Sequence, residues 1–385
     1  MRIKYSNLAT KTKIFIILGG ILSCIVFMAI QKYQKTTWKE HFESEAEEVI
    51  YIIQGKFEIN SHILLGIRSL FYASKKVTND EFDIYVASLI ETNDFIQALE
   101  WIPRVPESSR KMIENGLRYR GSPPFQILEQ SKEGEMVRAS SRSEYFPVHY
   151  IYPMKGNETA WGFDLASNPT RLAALNISRD RGGLIATSKI KLVQEKGHQN
   201  GILIFLPVYH GKVTPKTVTE RREKLSGFIL GVYRMDDMFK TVRPYLQKDI
   251  KFSVYEGNKI DQSAILTGKW VSNSPLQFEE VINFHGKKWL VVVQGGKDFL
   301  GGQHLYYAYG GAAAVVFLFI FIWAILQAAQ TRSAFEKNTA VELTQLFDKA
   351  NAPIFSIDVH GKIREWNQKI EKITGFSKAE ILGNM

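Results

Sequence analysis

The chain of 385 residues has a single cysteine, Cys24, so no disulfide can form within it. A domain of more than about 200 residues can stand without one because its core is large enough. That usage fits a bacterial periplasm and argues against a eukaryotic extracellular protein. Catalytic signatures are missing as well. No histidine stands in a phosphoacceptor context, and no glycine-rich ATP lid or Gly-Gly-Asp-Glu-Phe sequence occurs. The histidines (His41, His62, His149, His198, His210, His285, His304 and His360) are dispersed and form no metal-ligand cluster. No catalytic residue, metal or cofactor is therefore assigned. The formal net charge is +10, but basic residues are scattered and interrupted by acidic clusters such as Glu43 to Glu48. A basic stripe with interleaved aromatics is absent, which excludes nucleic acid as a partner. Asn157-Glu158-Thr159 and Asn176-Ile177-Ser178 match the glycosylation sequon, a pattern short enough to arise by chance.

What is present is two long apolar runs, Ile14 to Ile30 and Leu305 to Leu326. A helix needs roughly 20 apolar residues to cross about 30 Å of hydrocarbon. The second run meets this with no charge in it, and the first lies at the short end of the range. A cleaved signal peptide also begins with charges and an apolar stretch. Here the apolar core is long for that role and no small-x-small site follows, so a retained anchor is expected. Arg2, Lys4, Lys11 and Lys13 precede the first run without an acidic residue, which places the amino terminus in the cytoplasm. Lys32, Lys35 and Lys39 on the other flank weaken that bias without reversing it. The plan is a cytoplasmic tail (1–13), a span (14–32), an exported region (33–304), a second span (305–326) and a cytoplasmic end (327–385). A two-pass protein of the bacterial inner membrane with a periplasmic middle is expected.

Beyond the first run, Trp38, Phe42, Ala46, Val49, Ile53, Phe57, Leu64, Ile67 and Phe71 recur in steps of three and four. This predicts a long stalk helix over 33–75. Its narrow stripe suits either packing on its own domain or a two-helix seam in a homodimer. Further on, strands are expected at 96–103, 145–152, 161–165, 185–193 and 201–209. Helices are expected at 106–120 and 169–181, the latter capped by Gly182-Gly183. A charged loop at 212–224 leads to strands at 227–233, 251–255, 278–284 and 289–294, with a helix at 235–246. The fold class is α+β, with a distal lobe over 76–211 and a membrane-proximal lobe over 225–300.

Six motifs in order carry a resemblance. They are Leu99-Glu100-Trp101-Ile102-Pro103-Arg104-Val105-Pro106, Glu144-Tyr145-Phe146-Pro147-Val148, and Gly162-Phe163-Asp164-Leu165-Ala166-Ser167. Ala173-Ala174-Leu175 with Ser178-Arg179-Asp180, Ala186-Thr187-Ser188 with Leu192-Val193-Gln194, and Gly201 to Tyr209 complete them. The region resembles the ligand-sensing CHASE domain of sensor kinases and cyclases. The resemblance implies two stacked PAS-like lobes on a stalk helix, a dimer, and a small ligand in the distal lobe. Plant cytokinin receptors belong to this family. By that resemblance Asp164 matches an aspartate that hydrogen-bonds an adenine-like ring, and Thr187 matches a threonine important for binding.

An inward carboxylate at Asp164 in an apolar strand would in any case need donors. A ligand could supply them, or Asp164 could cap the next helix or pair with Arg171 or Arg179. Phe146, Trp161, Phe163, Leu192, Leu203 and Phe205 are candidate ligand walls or, equally, plain core. The match is mainly to bacterial forms, and the basic residues Arg138, Arg142, Arg171 and Arg179 leave an anionic ligand open beside an adenine-like one.

From Ala328 the pattern is helical, a signalling helix over 327–342. Leu346 to Asp358, Gly361 to Asn367 and Thr374 to Gly383 then resemble the opening of a PAS domain, over 343–385. That match covers only about the first 40 residues of a domain of about 100, so the chain is expected to be part of a longer protein. The resemblance allows a histidine kinase feeding a response regulator, a diguanylate cyclase or phosphodiesterase, or a non-enzymatic receptor acting through partners.

Overall fold

The computed structural model describes residues 2–116, 124–194, 199–296, 299 and 304–382. Two compact units emerge, one of Met1–Gln34 with Gln303–Met385 and the other of Lys35–Gly302. Helix α1 (Arg2–Ala73) is shared between them and runs without interruption. No proline interrupts it, and the polar stretch after Ile30 is made of residues that a helix accepts. The first apolar run and the expected stalk are thus one helix.

Within the larger unit, α1 buries Phe42, Ala46, Val49, Ile53, Phe57, Leu64 and Ile67 along one stripe. Helix α2 (Asn79–Glu91) is opened by a capping box between Thr78 and Glu81 and buries Phe82 and Val86. Strand β1 (Ile96–Pro103) begins the first sheet. Helix α3 (Arg110–Gly116) follows, preceded by a 3-10 turn. The rest of the helix expected over 106–120, including Leu117, lies outside the described residues. Strand β2 (Tyr150–Tyr152), helix α4 (Pro169–Arg181) and strands β3 (Ile185–Ala186), β4 (Gly201–Tyr209) and β5 (Leu225–Arg234) come next. They form an antiparallel sheet in the order β2-β1-β5-β4-β3. As expected, α4 ends at Gly182, which adopts a left-handed φ of 74°.

The second sheet uses β6 (Ile250–Glu256), β7 (Ile265–Gly268), β8 (Leu276–Phe284) and β9 (Lys287–Gly295), in the order β7-β6-β9-β8. The β8–β9 turn is His285-Gly286, both with positive φ. One core joins the two sheets. The α1 stripe packs against Ile202, Ile204, Ile229 and Tyr233 of the first and against Phe252, Val254, Trp289 and Val291 of the second. The opposite face of the first sheet carries a separate core with α4 over it. This is an α+β architecture on a long helix.

Several elements differ from expectation. Residues 161–165 make isolated bridges rather than a strand, because a 3-10 turn at Glu158–Ala160 and another at Leu165–Ser167 consume the segment. The strand expected over 185–193 stops at Ala186, and the one over 145–152 is split. The expected loop at 212–224 contains helix α5 (Val218–Glu223), nucleated by a Thr217/Glu220 capping box without apolar periodicity. The helix expected over 235–246 is cut to α6 (Met235–Lys240) with a 3-10 turn around Pro244.

In the smaller unit, α7 (His304–Lys349) packs on the start of α1. Ser23 Oγ donates to the Ala312 carbonyl at 3.0 Å, and Phe15–Phe319 and Phe27–Tyr309 ring pairs flank it. A Cβ on Gly19 would sit 2.8 Å from the Phe319 ring, so the small residue sets the approach. Both helices are long and apolar enough to cross a membrane. Strands β10 (Phe355–Ile357) and β11 (Ile363–Trp366) form a hairpin, followed by α8 (Gln368–Thr374) and α9 (Lys378–Ile381). Buried Asn367 knots this end. Its Nδ2 donates to Phe347 O (3.1 Å) and Ala352 O (2.9 Å), and its Oδ1 accepts from Ile354 and Ile370 N–H.

Asn60 sits inside the α1 stripe with 0 % exposure, and neither amide atom has a hydrogen-bond partner among the described residues. Replacing such a group with an apolar one removes a desolvation cost of about 1–3 kcal/mol. Asn60→Leu is therefore expected to raise Tm in thermal unfolding of the full chain in detergent micelles. A lowered Tm would show that the amide is satisfied in the working protein.

Candidate ligand site

Alternation along β1 sends Leu99 and Trp101 toward α1 and Ala98 and Ile102 toward the opposite core. Glu100 shares the second face, an acidic residue among apolar neighbours, paired across the sheet with Ile151 and Leu230. It is 2 % exposed, and its carboxyl makes no hydrogen bond among the described residues. Burial pushes its carboxyl up to about 8, with Arg171 opposing the shift. Facing it across a gap is Arg171 of α4, 4 % exposed. One guanidinium nitrogen donates to Lys191 O at 3.3 Å, while Nε has no partner among the described residues. The guanidinium lies 4.9 Å from the Phe163 ring centroid. Burial lowers its pKa to about 10, with Glu100 opposing. No ion pair joins the two among the described residues.

The gap between them is also lined by Phe163, Leu192, Gln194 and Leu203. Its volume of about 10 Å³ admits about one water molecule. Gln194 is held by buried Asn157, whose Oδ1 accepts from Gln97 Nε2 (2.8 Å) and Gln194 Nε2 (3.2 Å). The first sequon asparagine is thus an internal bracket.

Of the eight residues singled out in the sequence, Phe163, Leu192 and Leu203 line this gap. Asp164, Phe146, Trp161 and Phe205 are not among its lining residues, and Thr187 lines a separate cleft beside α4 instead. Asp164 is fully buried, and its Oδ1 accepts from Phe146 N (2.7 Å) and Ala166 N (3.2 Å). Its Oδ2 accepts from Arg142 Nη1 at 2.8 Å, and Arg142 also pairs with Glu129. Burial raises its pKa, against the Phe146 N–H and Arg142, which lower it. The carboxylate is filled by the chain and caps the Leu165–Ser167 turn, paired with Arg142 rather than Arg171 or Arg179. Thr187 doubles the β3 edge: its Oγ1 accepts from Leu203 N at 3.1 Å, and its N–H donates to Leu203 O at 2.9 Å. Phe146 and Phe205 pack on Phe228, and Trp161 packs on Phe125. Gly162 takes φ 82°, and a Cβ there would collide with the Gln126 carbonyl, so the bend that aims Phe163 inward requires glycine.

Glu100 and Arg171 went unassigned by sequence reasoning as a pair. A lone carboxylate inside Leu99-Glu100-Trp101-Ile102 was the available signal. Arg171 was one of four clustered cations, and the structure separates it from the rest. Arg138 pairs with Glu114 (2.6 Å), Arg142 with Asp164 and Arg179 with Asp180 (2.8 Å). Arg171 has no such pair.

Residues 75–266 match the CHASE domain, and residues 342–385 match the PAS fold. Hybrid signal transduction histidine kinase A of Dictyostelium discoideum is 20 % identical over 342 residues, covering 80 % of this chain and 16 % of that protein. Phytochrome B1 of Solanum lycopersicum is 44 % identical over 46 residues, covering 12 % of this chain and 4 % of that protein. The chain thus spans less than a fifth of the length of either relative. Among solved structures, an extracellular ligand binding receptor from Desulfohalobium retbaense aligns at 10 % identity with a TM-score of 0.41, covering 66 % of this chain and 40 % of that one. A methyl-accepting chemotaxis protein aligns at 8 % identity with a TM-score of 0.41, covering 68 % and 98 %.

Because Glu100 is held protonated in the fold but ionises near 4.5 when exposed, the stability present below pH 4.5 is lost as pH rises through 8. Neutral, buried His149 and His285, both lowered to about 4, act in the other direction, and only below about pH 6.5. Between pH 6.5 and 8 the chain is expected to lose on the order of 1–2 kcal/mol through Glu100. Tm should fall across that window, and Glu100→Gln should flatten the profile. An equal fall in the variant would assign the slope to other groups.

Proposed function

Since the chain carries a CHASE domain and the opening of a PAS fold, we propose that it is a two-pass receptor of the bacterial inner membrane. Its CHASE domain faces the periplasm, takes a small ligand between the first sheet and α4, and signals to a cytoplasmic histidine kinase that feeds a response regulator. The observation that carries this reading is the pair Glu100 and Arg171, a protonated carboxyl and a guanidinium buried without direct pairing around one gap. Isolated polar groups in such a place are costly unless a partner arrives. A ligand presenting an N–H donor and an acceptor nitrogen or oxygen on one edge, as an adenine-like ring does, satisfies both. A purely anionic ligand satisfies Arg171 alone.

In this reading Phe163, Leu192 and Leu203 touch the ligand. Asp164, Thr187, Phe146, Trp161 and Phe205 hold those walls in place. A gap the size of one water requires the walls to part on binding, so the ligand selects an opened arrangement. That movement is passed to α1 through the shared core. The exposed Tyr51 and Ile59 on the stalk are where a second copy would pack in a homodimer. A kinase output is supported by the relative that is itself named a hybrid histidine kinase.

Thermal unfolding of the full chain in detergent micelles, with adenine and N6-substituted adenines as probes, tests the site. A ligand at 100 times its Kd stabilises by about 2.7 kcal/mol, so a saturable rise in Tm is expected. Glu100→Leu and Arg171→Leu should each abolish it. A rise that survives both substitutions places the site elsewhere.

A further inference from the structure

A second cavity of about 330 Å³ lies outside that gap, along the exposed side of α4. Its floor is Ile185 and Ala186 of β3, and its wall is Ala173 and Ile177 of α4, the latter 44 % exposed. The β8–β9 turn closes one end. Gly286 makes that closure possible, since a Cβ there would lie 2.9 Å from Ile185 Cδ1 and 3.4 Å from an Arg181 guanidinium nitrogen. The cavity therefore joins parts of both sheets, which already meet where Ala186 N–H donates to His285 O at 2.9 Å.

Its charges are unevenly satisfied. The Arg181 guanidinium has neither an ion pair nor a hydrogen bond among the described residues, and the adjacent Asp180 is taken by Arg179 and Arg222. Lys287 Nζ donates to Ser188 Oγ at 2.7 Å and stands 3.4 Å from Glu256. Ser188 accepts that bond and keeps its own proton free to donate. Two cations against one carboxylate leave the rim with one uncompensated positive charge. A dianion would exceed that charge, and a neutral molecule would leave Arg181 unmatched. Apolar walls beside a single net positive charge suit a single carboxylate on an apolar body.

We propose that this cleft is a second ligand site, which binds a small monocarboxylate with an aromatic or aliphatic body. The carboxylate lies on Arg181 and Lys287 with the Ser188 hydroxyl, and the body lies on Ala173 and Ile177. Because α4 and β3 belong to one sheet's lobe and Gly286-Lys287 to the other's, the bound molecule clamps the two lobes together. The inference does not depend on the Glu100–Arg171 site.

Benzoate is the probe, with benzamide and inorganic phosphate as controls, titrated against the full chain in detergent micelles at constant ionic strength. Benzoate should raise Tm saturably, while benzamide and phosphate should not. Arg181→Gln, at an exposed residue without partners, should leave the unliganded Tm unchanged and weaken benzoate about tenfold. Ala173→Trp fills the cleft and should abolish the response, whereas Glu100→Gln should retain it. No saturable response to benzoate, an equal response to benzamide, or a response unchanged in both Arg181→Gln and Ala173→Trp would overturn the assignment. Loss in Glu100→Gln alone would move the carboxylate to the other site.

Discussion

The apolar stripe of α1 is buried against two sheets at once, and the remaining structure is arranged by that burial. Phe42 to Ile67 meet Ile202, Ile204 and Ile229 of one sheet and Phe252, Val254 and Val291 of the other. At roughly 25 cal/mol for each Å² of apolar surface removed from water, burial of this stripe stabilises both sheets against the helix. It also orients the chain. Each sheet commits one face to the helix, which leaves the second face of the five-stranded sheet to pack under α4. That second face is where Glu100 and Arg171 are buried.

The electrostatics of the gap follow from where carboxylates find donors. Asp164, Glu114 and Asp180 are each met by an arginine, and Asp164 also by two backbone N–H groups. Glu100 has no such donors, so desolvation governs it and holds it protonated. Arg171 is deprived in the same way and keeps a free Nε–H. A fully satisfied carboxylate such as Asp164 gains little from a ligand. Two unsatisfied buried groups facing one space gain from any molecule that can meet both.

The segment from Ile185 to Gln194 touches everything that matters. Thr187 pairs twice with Leu203 beside the gap, and Lys191 O accepts from Arg171. On its other side Ala186 bonds the β8–β9 turn, Ser188 receives Lys287, and Lys189 N–H donates to Glu256 at 3.1 Å. His285 of that turn reaches the stalk through a 3.3 Å contact with Ser61. The gap, the outer cleft, the second sheet and α1 are therefore connected by short hydrogen bonds, which have defined lengths to gain or lose.

Local pattern was sufficient for the elements whose residues answer only to their own neighbours. The 3.6 period of α1, the Gly182 cap of α4, the strand at β1 and the two charge-free apolar runs were legible because such patterns are local. Elements set by distant partners were not. The bend at Gly162 needs the Gln126 carbonyl to make sense, and α5 rests on a capping box with no apolar stripe. The same divide runs through the site. Residue type alone nominated Asp164, because an aspartate among apolar residues calls for donors. Whether those donors come from the chain or from a ligand is a question of three-dimensional neighbours. Sequence determined a helix-borne α+β sensor between two apolar helices. Tertiary structure decided that Asp164 is spent on Phe146, Ala166 and Arg142, and that Glu100 and Arg171 are left facing each other. Hydrogen-bond satisfaction depends on which distant groups the fold brings within about 3 Å, and no local period encodes that.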